Sequence, residues 1–233
     1  MKLNKLLTST ACWLALAGGA FAVTFTGVDI GTPSLPGSST ANSDGTITIK
    51  GSGDDIWNAA DSCQFYYTAV QGLVWDAVAR VRSIDAPVST WAKCELMVRE
   101  DDGSGTPKTA DPFIADMTTA ATLTDGITVA QNEVADQFRP DRAASADGIS
   151  ASTKVNPTYP NTWLRLQRVG SLFTVWYGAD GTNWTKYIDI DTAKSATDNG
   201  GTRGFPGTAW KDPLLVGIAV TAHDNSALAT AVV

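Results

Sequence analysis

Few residues of this chain have the types and spacing that catalysis requires. Glu95 is the nearest candidate for an acid–base residue, and it shares a strand-like segment with Lys93 and Arg99. Glu100 follows five residues later and would point to the opposite face of that strand, because side chains in a strand alternate with a period of two. One carboxylate among cations is more typical of an ion pair than of an acid–base pair.

A nucleophilic triad is not indicated either. His223 is the only histidine, and the chain contains no Gly-x-Ser-x-Gly segment. The segment His223-Asp224-Asn225 is typical of a turn whose side chains form local hydrogen bonds. The sequence therefore favours a protein without catalytic activity.

Charge and cysteine content exclude further classes of function. The 233 residues include 17 Lys and Arg against 24 Asp and Glu, a formal net charge of −7. A nucleic-acid binder would need clustered basic residues, so we expect no nucleic-acid partner. Three cysteines and one histidine without ligand spacing do not predict a zinc site.

The N-terminus has the organisation of a secretory signal peptide. Lys2 and Lys5 precede an apolar stretch over residues 6–17, and Ala20-Phe21-Ala22 is an A-x-A cleavage pattern. The stretch is short for a membrane span, and no stop-transfer charges follow it. We expect residues 1–22 to be removed and residues 23–233 to form a single secreted or periplasmic domain without stable membrane insertion.

After residue 22 the hydrophobic pattern has the period of strands. Apolar and polar residues alternate in many short segments separated by Gly, Asp, Ser and Pro, for example in Leu164–Gln167 and Phe173–Tyr177, with a turn at Val169-Gly170-Ser171 between them. Strands are also expected at 46–49, 63–67, 78–82, 96–99, 113–117, 127–134, 184–187, 214–221 and 229–233. Two long loops are expected over residues 139–160 and 191–212. Many short strands with frequent turns predict an all-β sandwich or jelly roll.

An ordered set of short motifs carries a resemblance to a known family. The set is Gly53-Asp54-Asp55-Ile56-Trp57, Ala79-Arg80-Val81, Trp91-Ala92-Lys93, Met97-Val98-Arg99-Glu100, Trp163-Leu164-Arg165-Leu166, Asp180-Gly181, Trp184, Val216–Thr221 and His223–Ala227. In this order it resembles a laminin-G-like module of the concanavalin-A-like lectin/glucanase superfamily, from about Val28 onward. The resemblance implies two antiparallel sheets packed as a jelly-roll sandwich, one convex and one concave.

Two cysteines depart from that family's pattern. Cys63 stands where an aromatic residue is typical, and Cys94 stands where alanine is expected. We expect them to face each other across the core and to form a disulfide. This bond would close a loop of about 30 residues and add about 3 to 4 kcal/mol to the stability. The alternative is two independent buried thiols that behave as small apolar groups.

The resemblance also indicates which sites to expect. Relatives that hydrolyse glycans carry a spaced Glu-x-Asp-x-x-Glu pattern, and this chain lacks it. Calcium is the cofactor that loop carboxylates would suit; the candidate ligands are Asp29, Asp54, Asp55, Asp101 and Asp102. A polysaccharide or cell-surface glycan would bind through aromatic rings with polar neighbours; the candidates are Trp91, Tyr159, Trp176 and Trp210 with Glu95 and Arg99. For Trp57, Trp163 and Trp184 we expect packing roles.

Three functions follow from this sequence. The first is a secreted, non-catalytic binding or adhesion module for carbohydrate. The second is a glycoside hydrolase or lyase of the same fold with an atypical site. The third is a structural or self-assembling surface protein.

Overall fold

The structure is a computed structural model that describes residues 23–120, 133–148, 155–195 and 205–233. The expected signal peptide and most of the strand expected at 127–134 lie outside these ranges. Within them the chain forms sixteen strands and no helix. In chain order the strands are β1 (Thr26–Ile30), β2 (Ser38–Ala41), β3 (Ile47–Gly53), β4 (Ile56–Trp57), β5 (Ala60–Asp61), β6 (Cys63–Val70), β7 (Val74–Val81), β8 (Ser83–Asp85), β9 (Lys93–Glu100), β10 (Phe113–Thr119), β11 (Val134–Arg139), β12 (Thr162–Val169), β13 (Leu172–Gly178), β14 (Trp184–Asp191), β15 (Leu214–Thr221) and β16 (Asp224–Val232).

Three antiparallel sheets make up the two layers of the fold. The front sheet has the strand order β1-β6-β15-β9-β10-β11. The back sheet, β14-β13-β12-β7, and the side sheet, β2-β3-β16-β8, form the opposite layer. A hairpin of β4 and β5 stands apart from them. The predicted all-β jelly-roll sandwich is confirmed.

The core between the layers follows from the alternation seen in the sequence. Leu164 and Leu166 of β12 point inward and are fully buried, as are Phe173 and Val175 of β13. They meet the inner face of the front sheet, which includes Leu96. Burial of this apolar surface is the main favourable contribution to folding.

The outer face of the front sheet is covered as well. Phe65, Met97 and Phe113 form a second buried apolar cluster there, packed against Ile56 of the β4–β5 hairpin. The Gln137 side-chain amide donates to the carbonyl oxygen of Ile56 and so ties the hairpin to β11. Seven of the eight residues of β9 are therefore buried, whichever face they point to.

A buried ion network also fastens the covering segments to the front sheet. Arg99 of β9 and Arg139 of β11 both bind Asp61 of β5, and all three side chains are fully enclosed. Both guanidinium groups lie over the ring of Phe113, at 5.6 and 5.0 Å from its centroid. The β4–β5 hairpin is thereby fixed over the sheet face that carries Arg99.

The expected disulfide is wrong. Cys63 and Cys94 are both buried and are not bonded to each other. Cys63 belongs to the outer cluster of the front sheet, whereas Cys94 belongs to the inner core. Their strands, β6 and β9, are separated by β15. A disulfide needs Cβ atoms about 4 Å apart, and side chains on opposite faces of a sheet, two strands apart, cannot meet this requirement.

The two long loops keep little regular structure in their described parts. Isolated bridges join Val134 to Val155, Phe138 to Asp147 and Ser195 to Pro206. Within the described ranges, no helix has the length and apolarity needed to cross a membrane.

Candidate functional site

A cleft of about 350 Å³ lies over the outer face of the front sheet. Lys93 of β9, Met117 of β10, and Ala135 and Gln137 of β11 form its floor. Strand register explains the floor, because Met117 is directly opposite Ala135 and these side chains alternate with inward-pointing neighbours. The walls come from other segments; the remaining lining residues are Asp55, Trp57, Trp91, Glu133, Asp136, Gly148 and His223.

A chain of polar contacts crosses one wall of the cleft. The Lys93 ammonium donates to Asp55 Oδ1 at 2.6 Å, and its side chain is only 4% exposed. Asp55 Oδ2 lies 3.4 Å from His223 Nε2, and His223 Nδ1 lies 3.1 Å from Ser89 Oγ. Three loops that are far apart in sequence are thereby joined at the cleft.

The charge state of Asp55 follows from these contacts. Burial opposes its ionisation, but the hydrogen bond with His223 and the ammonium of Lys93 outweigh burial and hold the pKa of Asp55 below its usual value. Asp55 is therefore an anion paired with a cation at neutral pH. His223 lies in the turn between β15 and β16, where its backbone is left-handed, with φ 51°. From this turn the residue lines the cleft.

Two indole rings border the same cleft. Trp57 and Trp91 are both half-buried and line it. Lys93 Nζ lies 5.7 Å from the centroid of the Trp57 ring, within the range of a cation–π contact. The cleft therefore combines flat apolar surfaces with hydrogen-bonding groups, which is the usual composition of a small-molecule site.

Glu95 lies at the edge of this floor but is fully buried. It is directly opposite Met117 on one side and Ala219 on the other, on the same sheet face as Lys93. Neither of its carboxyl oxygens has a hydrogen-bond partner in the described structure. Burial is the largest influence and raises the pKa of Glu95 to about 8. At neutral pH Glu95 is therefore mainly a neutral acid.

The structure distributes the six predicted ligand residues over four places. Trp91 lines the cleft, and Glu95 lies at the edge of its floor. Arg99 is enclosed in the ion network with Asp61. Trp210 is 5% exposed and packs in the core against Phe173.

The other two predicted aromatic ligands lie on the back of the molecule and against the core. Trp176 lies on the outer face of the back sheet, where the guanidinium of Arg165 stands 5.6 Å from its ring centroid. The Tyr159 hydroxyl donates to the carbonyl oxygen of Thr119 at 2.7 Å. Neither residue lines the cleft.

The five aspartates considered for calcium are not brought together. Asp29 accepts from the backbone amide of Gly37, and Asp54 is exposed beside the cleft residue Asp55. Asp101 accepts from the backbone amide of Gly105 and Asp102 pairs with the ammonium of Lys108, so both stabilise the turn that follows β9. In the described part of the chain, no group of three or more His, Cys, Asp or Glu residues could hold a metal ion.

Sequence reasoning missed three residues of the cleft. Trp57 was expected to have a packing role and His223 to serve only in a turn, yet both line the cleft with Lys93. A signal for Lys93 existed, because Lys93, Glu95 and Arg99 share one parity in the segment 93–99, whose remaining positions are apolar. Such charges point to a sheet face that carries polar interactions rather than to the core.

Comparison with known proteins supports the fold. No family model matches the sequence, and no curated protein matches it. A functionally unknown protein from Saccharomyces cerevisiae is structurally similar, with a TM-score of 0.52 and 15% identity over 88% of this chain and 92% of that one. At this identity the similarity concerns the fold alone.

Two further solved structures are more distant. A xylan beta-1,4-xylosidase from Bacillus halodurans has a TM-score of 0.48 and 11% identity over 80% of this chain and 31% of that one. A lectin from Bauhinia forficata in complex with GalNAc has a TM-score of 0.47 and 6% identity over 93% of this chain and 92% of that one.

Proposed function

We propose that this protein is a non-catalytic, extracytoplasmic binding module of laminin-G-like type whose cleft takes a carbohydrate. The observation that carries the proposal is the pairing of two indole rings, Trp57 and Trp91, with the polar groups of Asp55, Lys93 and His223 around one cleft. Export rests on the signal-like residues 1–22.

A sugar ring matches this composition. It presents apolar C–H faces that pack on aromatic rings and hydroxyl groups that both donate and accept hydrogen bonds. Asp55 offers an acceptor, Lys93 and Gln137 offer donors, and the two indoles offer flat surfaces. A volume of about 350 Å³ lies within the usual range of small-ligand sites and suits one or two sugar units.

Binding rather than hydrolysis is favoured by the state of the carboxyl groups. Glycosidases generally place two carboxyl groups on either side of the scissile bond. Three acidic residues line the cleft, Asp55, Glu133 and Asp136. Asp55 is paired with Lys93 at 2.6 Å, and Asp136 alternates with the floor residues Ala135 and Gln137, so its side chain points to the inner face of β11. Glu95 is fully enclosed and absent from the lining. The arrangement therefore supports recognition of a sugar without cleavage.

A glycan array followed by calorimetry tests the proposal. We expect at least one glycan to bind, and we expect Trp57→Ala and Trp91→Ala each to weaken its affinity by about tenfold, the typical cost of removing an aromatic anchor. Trp176→Ala is the matched control, because Trp176 lies on the back sheet, and it should bind like the wild type.

Two outcomes would contradict the proposal. One is no binding to any glycan of the panel, with or without calcium. The other is an equal loss of affinity in all three tryptophan variants. Release of reducing ends from a polysaccharide would instead support the hydrolase alternative.

A further inference from the structure

Glu95 is the buried group that the binding proposal does not use. Its side chain is fully enclosed, and both carboxyl oxygens lack a hydrogen-bond partner. It nevertheless points from the same face of β9 as Lys93, two residues away, and lies directly opposite the cleft residue Met117. Glu95 is therefore an enclosed carboxyl group that lies directly next to residues of the cleft floor.

The charged groups around Glu95 come from five elements. Lys93 and Arg99 share its strand; Asp61 lies on β5 and Asp55 precedes β4. The Cys63 thiol on β6 and the Asp116 carboxyl on β10 also interact with Glu95. Two cations and several acidic groups therefore compete for the same buried region.

Lys93 is the cation closer to Glu95 along β9, two residues away against four for Arg99, and it has hydrogen-bonding capacity to spare. Arg99 keeps one unpaired N–H, at Nε, in the described structure, but its terminal nitrogens are held in the ion network. Arg99 donates to Asp61 at 2.7 Å and to the carbonyl oxygen of Lys108 at 2.7 Å. Lys93 has three N–H donors, and its hydrogen bond within the described structure goes to Asp55 Oδ1 at 2.6 Å. Its ammonium also stands over the ring of Trp57.

We propose that Glu95 is a proton-operated control of the cleft: as a neutral acid it leaves Lys93 on Asp55, and when it ionises it draws the Lys93 ammonium away from Asp55 and from the ring of Trp57. The proton leaves Glu95 for solvent, and no bond other than O–H is broken. The contact of Lys93 with Asp55 is the arrangement that this proposal assigns to neutral Glu95.

The direction of the movement follows from the cost of burying charge. A buried carboxylate without a partner is strongly unfavourable, so ionised Glu95 must gain a cation or hydrogen-bond donors. Asp55 tolerates the loss of Lys93 better than ionised Glu95 would, because Asp55 is partly exposed to solvent and keeps its contact with His223. Burial raises the pKa of Glu95 to about 8, which sets the range in which the change occurs.

Nuclear magnetic resonance of the full chain tests this inference without any ligand. The carboxyl carbon of Glu95 and the indole N–H of Trp57 are followed from pH 5 to pH 10. We expect both signals to change with one midpoint near pH 8. A Glu95 carboxyl that titrates near its ordinary value, or a Trp57 signal that stays constant while Glu95 titrates, would overturn the inference.

Two variants sharpen the test. Glu95→Gln should abolish the Trp57 transition, whereas Glu100→Gln, at the end of the same strand on the opposite face, should retain it. Lys93→Met removes the nearby cation, and we expect the Glu95 midpoint to rise by about one pH unit or more. If Glu95→Gln does not fold, Lys93→Met still tests the inference. An unchanged midpoint for Glu95 in Lys93→Met would refute the coupling between Glu95 and Lys93.

A consequence for binding rests on the proposed function. Movement of Lys93 uncovers the ring of Trp57 and also withdraws an ammonium donor from the cleft, so the affinity for a glycan should change several-fold between pH 6 and pH 9. In Glu95→Gln the affinity should lose this dependence. Failure to find a glycan would leave the spectroscopic test intact, so the two proposals can fail separately.

Discussion

Arg139 donates hydrogen bonds to both carboxylate oxygens of Asp61, from Nη2 to Oδ1 at 2.5 Å and from Nη1 to Oδ2 at 2.8 Å, and neither side chain is exposed. Asp61 also accepts from Arg99 at 2.7 Å. Such a bidentate pair is among the stronger charged hydrogen bonds in proteins. The contact joins the β4–β5 hairpin to two strands of the front sheet, next to the cleft.

Loss of the Asp61 charge should destabilise the fold strongly. Asp61→Asn leaves two buried guanidinium groups without their anion, and we expect a decrease of about 3–5 kcal/mol in the free energy of unfolding. Urea denaturation measures it. Arg82→Ala is the control, because its 3.9 Å pair with Asp44 is exposed, and it should show no measurable change. Equal stability of the two variants would contradict this role for Asp61.

Asp116 should make the stability fall as the pH rises. It is fully buried between the layers, and burial, aided by the charge of Asp136, raises its pKa well above the usual value although the amide of Arg165 donates to it. The native state therefore holds a proton that the unfolded state releases near pH 4, so the free energy of unfolding decreases above that pH until the raised pKa is reached.

Asp116→Asn removes this difference in bound protons between the native and the unfolded state, because an amide does not titrate. The free energy of unfolding from urea titrations at pH 5, 7 and 9 should depend less steeply on pH in this variant than in the wild type. Glu95 contributes a slope of the same sign up to about pH 8, so some dependence remains. Asp224→Asn changes a half-buried carboxyl group at the start of β16 and serves as the control. An unchanged slope in Asp116→Asn would show that Asp116 is ionised in the native protein.

Reducing agent should leave the stability unchanged. Cys63 and Cys94 lie on opposite faces of the front sheet, so dithiothreitol should not shift the thermal midpoint of unfolding. Both thiols should react with iodoacetamide only after denaturation, as judged by mass spectrometry. A disulfide would contribute about 3 kcal/mol, so a clear drop of the midpoint on reduction would contradict the structure.

Arg165 should stabilise the outer face of the back sheet. Its guanidinium lies 5.6 and 5.5 Å from the ring centroids of Trp176 and Trp184, and its Nε donates to Asp76 at 2.8 Å. Lysine lacks the planar group that stacks on both rings. We therefore expect Arg165→Lys to lower the free energy of unfolding by about 1 kcal/mol.

A matched exposed cation tests whether the Arg165 effect is specific. Lys186→Ala changes a side chain that is half exposed and pairs with Asp189 of the same strand, β14. Chemical denaturation of this variant should resemble that of the wild type. If Arg165→Lys and Lys186→Ala were indistinguishable, the stacked arrangement would have no energetic role.

Local pattern was sufficient for most strands. The alternation in Leu164–Gln167 and the turn residues after it predicted β12, β13 and their inward-facing apolar residues, because the pleat of a strand places alternate side chains on opposite faces. The parity of Lys93, Glu95 and Arg99 likewise placed them on one face of β9. The sequence could not show that this outer face would be covered.

The sequence by itself therefore determined the all-β class, the short antiparallel strands and the charged face of β9. Only the tertiary structure decided that Trp57, His223 and Asp55 meet Lys93 in a cleft. It also decided that Cys63 and Cys94 lie on opposite faces of the front sheet. The physical reason is that strand alternation is local, whereas the pairing of β9 with β10 and β15, and the folding of the β4–β5 hairpin over them, joins segments far apart in the chain.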